Sequence, residues 1–316
     1  MKIILSLIIF IFLVSDCYGS KKGTTFGSDS SSDAAKCNDI RDLKVGWYYN
    51  WDKKVTCNAN VPGVEFVPTI WGKGSLPIGN LPANTQWLIG FNEPNYRSQS
   101  NMSPKEAADL WPQLEATGKK LVAPGVADCG QQLGGDCTYS TLDWYKQFLG
   151  NCSNCRIDAV SLHLYYCNAD DMMNKINNLY QLTKKPVWLT EFACNNPTNQ
   201  DSVVNFAKAL LPRLENSTQV DRYSWFIPFC GGCHSTDLLY SSLYNDQTGN
   251  GNLTPIGKYY SSFQTNSSNS SGSSSNNNGS GSNNNGSSSS SSENTTGNLI
   301  KSTLTLTIIL IFILLL

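Results

Sequence analysis

Charge is scarce in this sequence. Asp, Glu, Lys and Arg make up 15% of its 316 residues, and the net charge is −1. No segment carries a basic stripe, which excludes a nucleic-acid partner. No Gly-rich phosphate turn joins a strand to a helix, so nothing points to a dinucleotide or any other cofactor. The last apolar run, Leu304 to Leu316, is shorter than the roughly 20 residues of a spanning helix, and no charge follows it.

What is present at the ends is processing and linker sequence. One lysine and then the apolar run 3–14, followed by "CYG", read as a secretory signal peptide over 1–19; an uncleaved anchor is the alternative. Residues 20–36 read as a polar leader. Residues 262–292 are almost only Ser, Asn and Gly, with little to bury, and 262–297 read as a disordered stalk. Small residues, a short spacer and a terminal apolar tail over 298–316 form the pattern of a GPI signal. The expected location is therefore the cell surface, lipid-anchored to the outer leaflet of the plasma membrane. A tail-anchored helix is the rival. Sequons at Asn101, Asn151, Asn216 and Asn252, and several in the stalk, suit an extracellular chain.

The remaining body, 37–261, is long enough for a single α/β domain, expected to act as a monomer. There are eleven cysteines, and Cys17 leaves with the signal. The even remainder reads as disulfides. Cys152 with Cys155 and Cys129 with Cys137 would close local loops. Cys167 and Cys194 lie just past the ends of neighbouring strands, about 5 Å apart, and are expected to pair. The CxxC pairs at 152–155 and 230–233 lie far apart and suit neither a zinc site nor a redox motif. No metal is expected.

Apolar runs recur along the body, at 44–51, 64–71, 86–93, 120–127, 158–166, 187–193, 222–229 and, weakly, 238–244. They suit strands buried on both faces. Between several of them lie helical patterns. One, at 103–117, opens with Ser103 as N-cap, Pro104 at the first position and Glu106 completing a capping box. Another, at 201–214, has Asp201 as its expected cap. Eight strands alternating with helices predict a (β/α)8 TIM barrel; an open doubly wound sheet is the alternative.

Two of these strands end in acids. "LIGFNEPN" carries Glu93 and "VWLTEFA" carries Glu191, although a carboxylate is costly to bury. Barrel sites lie at the C-terminal strand ends. Trp47, Tyr49, Trp51, Trp71, Asn92, His163, Tyr165 and Trp225 fall there as well. Two carboxylates among aromatics is what glycoside hydrolysis needs. Each residue also has a structural reading. Glu93 could sit at a helix N-terminus, Glu191 could be a paired strand-end acid, and His163 a hydrogen-bonded core histidine. The tryptophans and tyrosines could all be core.

"GWYYNW", "FVPTIWG", "GFNEPN", "APGVA", "IDAVSLHLYY", "VWLTEFAC" and "RYSWFIPF" together resemble glycoside hydrolase family 128, the "glycosyl hydrolase catalytic core" family, over about 44–261. The resemblance implies a (β/α)8 barrel that cleaves or transfers β-1,3-glucan with retention, as an endo-acting enzyme on a wall or matrix polysaccharide. It implies Glu93 as acid/base and Glu191 as nucleophile. It also implies Asn92 at the sugar 2-hydroxyl and Trp225 as the platform under the cleaved sugar. In related barrels the glutamates lie on strands four and seven. The runs above give three and six with the same separation, so either an early strand is missing from that count or the first turn of the barrel is irregular. A silent glucan-binding or adhesion protein on the same scaffold is the alternative reading.

Overall fold

Short parallel strands make up the centre of the molecule. The computed structural model describes residues 20–26, 33–55, 57, 61–129, 135–229, 238–246 and 248–263. The segments read as signal, stalk (beyond 263) and GPI-type tail, and the "CGGC" stretch, lie outside the described residues. In chain order the elements are β1 (Lys22–Thr25), α1 (Asp33–Asp42), β2 (Trp47–Tyr49), β3 (Glu65–Phe66), β4 (Trp87–Ile89), α2 (Pro104–Glu115), β5 (Lys120–Ala127), α3 (Thr141–Asn151), β6 (Ala159–Tyr165), α4 (Ala169–Thr183), β7 (Val187–Ala193), α5 (Gln200–Asn216), β8 (Val220–Trp225) and α6 (Pro255–Ser262).

The strands form one parallel eight-stranded sheet in the order β3-β2-β1-β8-β7-β6-β5-β4. This is chain order read around a circle whose seam falls between β3 and β4. There Thr69 bridges to Ile89 in parallel, with Ile89 N donating to Pro68 O and Ile70 N to Ile89 O, both at 3.0 Å. The sheet is therefore curled. The apolar faces of the helices pack on its outer side in one continuous cluster. Among the described residues no helix is long and apolar enough to cross a membrane.

β1 corrects the domain boundary. Its sequence, Lys-Gly-Thr-Thr, has no apolar side chain and reads as leader, yet all four residues are buried. Lys22 Nζ donates to the carbonyls of Tyr260 at 2.9 Å and Phe263 at 3.0 Å, at the C-terminal end of α6, where a cation is favoured. Gly23 leaves room for Trp47: a Cβ there would lie 2.3 Å from the indole. β1 is the early strand missing from the sequence count, so Glu93 follows β4 and Glu191 lies on β7. The run at 238–244, read as a weak strand, instead holds a 3-10 turn at Leu239–Ser241.

Helix starts differ from expectation in detail. Ser103 does cap α2, accepting from Glu106 N at 3.1 Å, but the Glu106 carboxylate pairs with Lys73 at 2.9 Å and closes no box. α5 begins earlier than expected, capped by Asn199 with Ser202 completing the box, and Asp201 lies inside its first turn. Among the described residues four disulfides are present: Cys37–Cys57, Cys129–Cys137, Cys152–Cys155 and Cys167–Cys194. The last joins the ends of β6 and β7.

The lower interior of the sheet is filled by aromatics. Trp47, Trp87 and Trp188 surround Arg222, whose guanidinium lies 4.3 Å from the Trp188 ring centre and 2.8 Å from Glu65. Trp47 is wholly buried in this plug, at the start of its strand, so its role is packing rather than sugar contact.

Candidate active site

Glu93 is placed by a backbone ladder that outlasts β4. Gly90 N donates to Val122 O, Gly125 N to Phe91 O, and Glu93 N to Gly125 O at 2.8 Å. Glu93 then turns with φ +41°, in the left-handed region that non-glycine residues rarely adopt. Pro94 follows and disfavours right-handed helix at Glu93. Strain of this kind is held only where the surroundings fix it, and it concentrates at working sites. Trp51, at the end of β2, has φ +58°. Its indole N–H donates to Glu191 Oε1 at 2.7 Å.

Glu191 is 4% exposed and surrounded by donors. Besides Trp51, the Tyr165 hydroxyl donates to Oε2 at 2.5 Å, and the Tyr49 hydroxyl lies 3.2 Å from Oε1. His163, 2% exposed, sits between the acids. Its Nδ1 is 2.8 Å from Glu93 Oε1 and 3.3 Å from Glu191 Oε2. One oxygen of each glutamate and this nitrogen all lie within 4.8 Å of one another. The histidine fits because residue 125 is glycine, since a Cβ there would stand 2.6 Å from His163 Nε2.

These contacts set the proton affinities. Burial raises the Glu191 carboxyl above its ordinary value; Glu93 adds to the rise, while His163, Tyr165 and Trp51 oppose it. Burial pulls His163 down, but the charges of Glu191 and Glu93 and the bond to Glu93 more than offset this, and its net shift is upward. Burial and Glu191 hold the Tyr49 and Tyr165 hydroxyls well above the usual range, so both remain donors. The cluster thus has one carboxylate, Glu191, in a nest of N–H and O–H groups. The other, Glu93, is more open, with 13% of its side chain exposed.

Of the other expected residues, Tyr49, His163 and Tyr165 converge on the cluster. Asn92 lies beside it, its amide donating to Gln99 Oε1 at 3.1 Å. Trp71 is 37% exposed at a strand-end loop, and its carbonyl accepts from Asn92 N. Trp225 is not at the mouth. It is fully buried on the outer side of the sheet against Phe192, Phe206 and Tyr260, with its indole N–H on Ser241 O at 2.7 Å. The aromatic at the mouth is the next residue, Phe226, edge-on to Trp51 and Tyr165 at 5.9 and 5.6 Å. The β7–β8 register shift between Leu189 and Phe192 blurs the two-residue alternation that would have distinguished Trp225 from Phe226.

A family model described as the glycosyl hydrolase catalytic core matches residues 23–260. The chain belongs to that family. It is a glycoside hydrolase, with the α/β fold of the family 128 β-1,3-glucanases. Alkali-sensitive linkage protein 1 of Schizosaccharomyces pombe (strain 972 / ATCC 24843) is 29% identical over 235 residues, which are 68% of this chain and 40% of that protein. The chain therefore matches well under half the length of this relative. A family 128 (subgroup II) endo-β-1,3-glucanase from Sorangium cellulosum superposes with a TM-score of 0.67 at 30% identity, covering 78% of this chain and 99% of that one. A subgroup I endo-β-1,3-glucanase from Amycolatopsis mediterranei, in complex with laminaritriose, gives 0.61 at 28% identity, covering 77% and 99%.

Proposed function

We propose that this glycoside hydrolase is a retaining β-1,3-glucanase, built on a closed (β/α)8 barrel and acting at the cell surface on a wall or matrix glucan. The observation that carries the reading is the Glu93–His163–Glu191 cluster, with carboxylate oxygens of the two acids within 4.8 Å. Retention uses carboxyls about 5 Å apart, whereas inversion needs about 6.5–9.5 Å to admit a water between acid and sugar.

Glu191 is the nucleophile. Its donors favour the ionised form against the upward pull of burial. It attacks the anomeric carbon as the glycosidic bond breaks. Glu93 gives its proton to the departing oxygen. In the second half Glu93 takes a proton from water, which attacks the same carbon and releases Glu191. Trp51, Tyr165 and Tyr49 hold the Glu191 carboxylate in aim, and Asn92 is placed to meet the sugar 2-hydroxyl.

The secretory signal, the sequons and the GPI-type tail support a lipid-anchored protein on the outer leaflet, working as a monomer. A silent glucan-binding or adhesion protein is the second reading. The acid pair, joined through His163, speaks against it, because binding alone does not require both carboxylates. The test is product analysis of the purified 20–263 unit on a panel of β-glucans. Oligosaccharides released from β-1,3-linked substrates support the enzyme; glucan binding without turnover supports the adhesin.

A further inference from the structure

Of the four sequons in the body, one lies beside the acids. Asn101 sits between Ser100, whose N–H donates to Asn92 O at 3.3 Å, and Met102, whose N–H donates to Pro94 O at 2.9 Å. Those two acceptors flank Glu93, so Asn101 and Glu93 run side by side. The Asn92 amide reaches the same loop at Gln99 Oε1, 3.1 Å away. The loop also packs on the residue after Trp71, since a Cβ on Gly72 would stand 2.9 Å from Ser100 Cβ. Earlier in the loop, Arg97 N donates to Asp136 O at 2.9 Å and Ser98 N to Asp136 Oδ1 at 2.8 Å, and the Cys129–Cys137 disulfide clamps that second segment. Asn101 is thus held at the rim of the site.

Its side chain is free. Asn101 is exposed, and among the described residues its amide has no hydrogen-bond partner. The other sequons are placed differently. Asn151 and Asn216 end α3 and α5, where the chain turns to enter β6 and β8, so they lie at the strand starts, opposite the acids. Lys21, just before β1, fixes the second one there by donating to the carbonyls of Glu215 at 2.9 Å and Ser217 at 2.7 Å. The Asn252 amide is taken up by Asp246 Oδ2 at 2.6 Å. Asn101 and the sequon's serine, Ser103, each have a local task as well. Asn101 has φ +46°, which Asn tolerates better than most residues, and Ser103 caps α2. Substitutions can keep these tasks and still break the sequon.

We propose that Asn101 carries an N-linked glycan that stands over one side of the site, admitting single glucan chains and holding off packed ones. This rests on the proposed secretion of the chain and on Glu93 and Glu191 as its acids. The donor is an oligosaccharide carried on a lipid diphosphate. Asn101 Nδ2 loses a proton and bonds the anomeric carbon of the first sugar, as the bond from that carbon to the diphosphate oxygen breaks and the diphosphate leaves with its electrons. The attached glycan is bulky and stays in solvent. Fixed to a loop tied on both flanks of Glu93, it cannot swing clear of the acids without moving them.

The test uses the full chain from a eukaryotic secretory host. Ser103→Asp keeps a good helix cap and Asn101→Gly keeps the left-handed turn, and both remove the sequon; Ser103→Thr keeps sequon and cap. Enzymatic release of N-glycans in heavy-oxygen water, followed by peptide mass spectrometry, should mark position 101 in wild type and in Ser103→Thr but in neither of the others. With Tm unchanged across the set, kcat/KM on laminarihexaose should stay within about twofold of wild type, while the rate on an insoluble β-1,3-glucan should rise about fivefold in Ser103→Asp and Asn101→Gly. Wild type stripped of its glycans while folded should show the same rise. An unmarked Asn101 overturns the proposal, and if Asn151, Asn216 and Asn252 are unmarked too, the secretory reading falls with it. A marked Asn101 with equal rates on the insoluble glucan also overturns it. A protein that cleaves neither glucan refutes the function proposed above. Co-sedimentation with the insoluble glucan, compared between wild type and Ser103→Asp, then judges the glycan alone, and equal binding overturns its role.

Discussion

Replacing Gly125 by alanine tests whether His163 holds the acid pair. The added methyl would stand 2.6 Å from His163 Nε2 and 3.2 Å from Cε1. Ordinary contact begins near 3.4 Å, so the ring must yield by about 0.8 Å. It has no slack, because Nδ1 already lies 2.8 Å from Glu93. Either the imidazole turns off its partners or Glu93, whose N–H hangs from the Gly125 carbonyl, moves with the strand. Overpacking of this kind costs about 1–3 kcal/mol. For a domain of this size that is a fall of roughly 2–12 °C in Tm. Losing a hydrogen bond to a charged group costs about 1.5–3 kcal/mol, equivalent to one to two orders of magnitude in kcat/KM. Calorimetry and initial rates on laminarihexaose across pH measure both effects. Gly150→Ala is the control, because a Cβ at that exposed position in α3 meets nothing within 4 Å. A Gly125→Ala protein with wild-type Tm, rate and pH profile would refute the reasoning.

Three other outcomes are expected. Glu191→Ala should abolish turnover, with azide yielding a glycosyl azide of inverted configuration, and Glu93→Ala should harm substrates with poor leaving groups most; proton NMR of the wild-type reaction should show the β-anomer first, and an α-anomer would exclude retention. Trp225→Phe should lower Tm through the lost bond to Ser241, by about 1–3 kcal/mol of stability, while Phe226→Ala should lower kcat/KM with a smaller thermal cost; the reverse pattern would return Trp225 to the sugar site. His163 and Glu191 both keep their protons to higher pH when folded, above ordinary values of 6.5 and 4.5. The folded state then binds the more protons as pH rises from about 4.5 through both raised values, so this contribution to stability is complete in acid and is lost across that window. The Tm of wild type relative to Glu191→Gln should therefore fall as pH rises, and a constant difference would show that burial is not what shifts Glu191.

The strand pattern and the two strand-end acids were legible in the sequence because burial on both faces demands continuous apolar runs, and a carboxylate at the end of such a run stands out chemically. Ser103 with Pro104, and the pairing of Cys152 with Cys155, were legible because caps and tight loops are local. Other features depended on the fold. β1 is buried although its residues are polar, since Lys22 finds its partners across the chain at Tyr260 and Phe263. Nothing near Lys22 in the sequence announces them. Trp47, Trp225 and Phe226 all read as strand aromatics, and only their position along the strands of the curled sheet and the face they present assign the first to the plug, the second to the outer core and the third to the cluster around Trp51 and Tyr165. Gly125 looks like any strand glycine until β6 brings His163 against it. Sequence thus determined which residues had to be inside and which charges had to be compensated; tertiary structure decided which of them meet, because a parallel sheet closes its contacts between strands far apart in the chain and a single bulge exchanges the inner and outer faces.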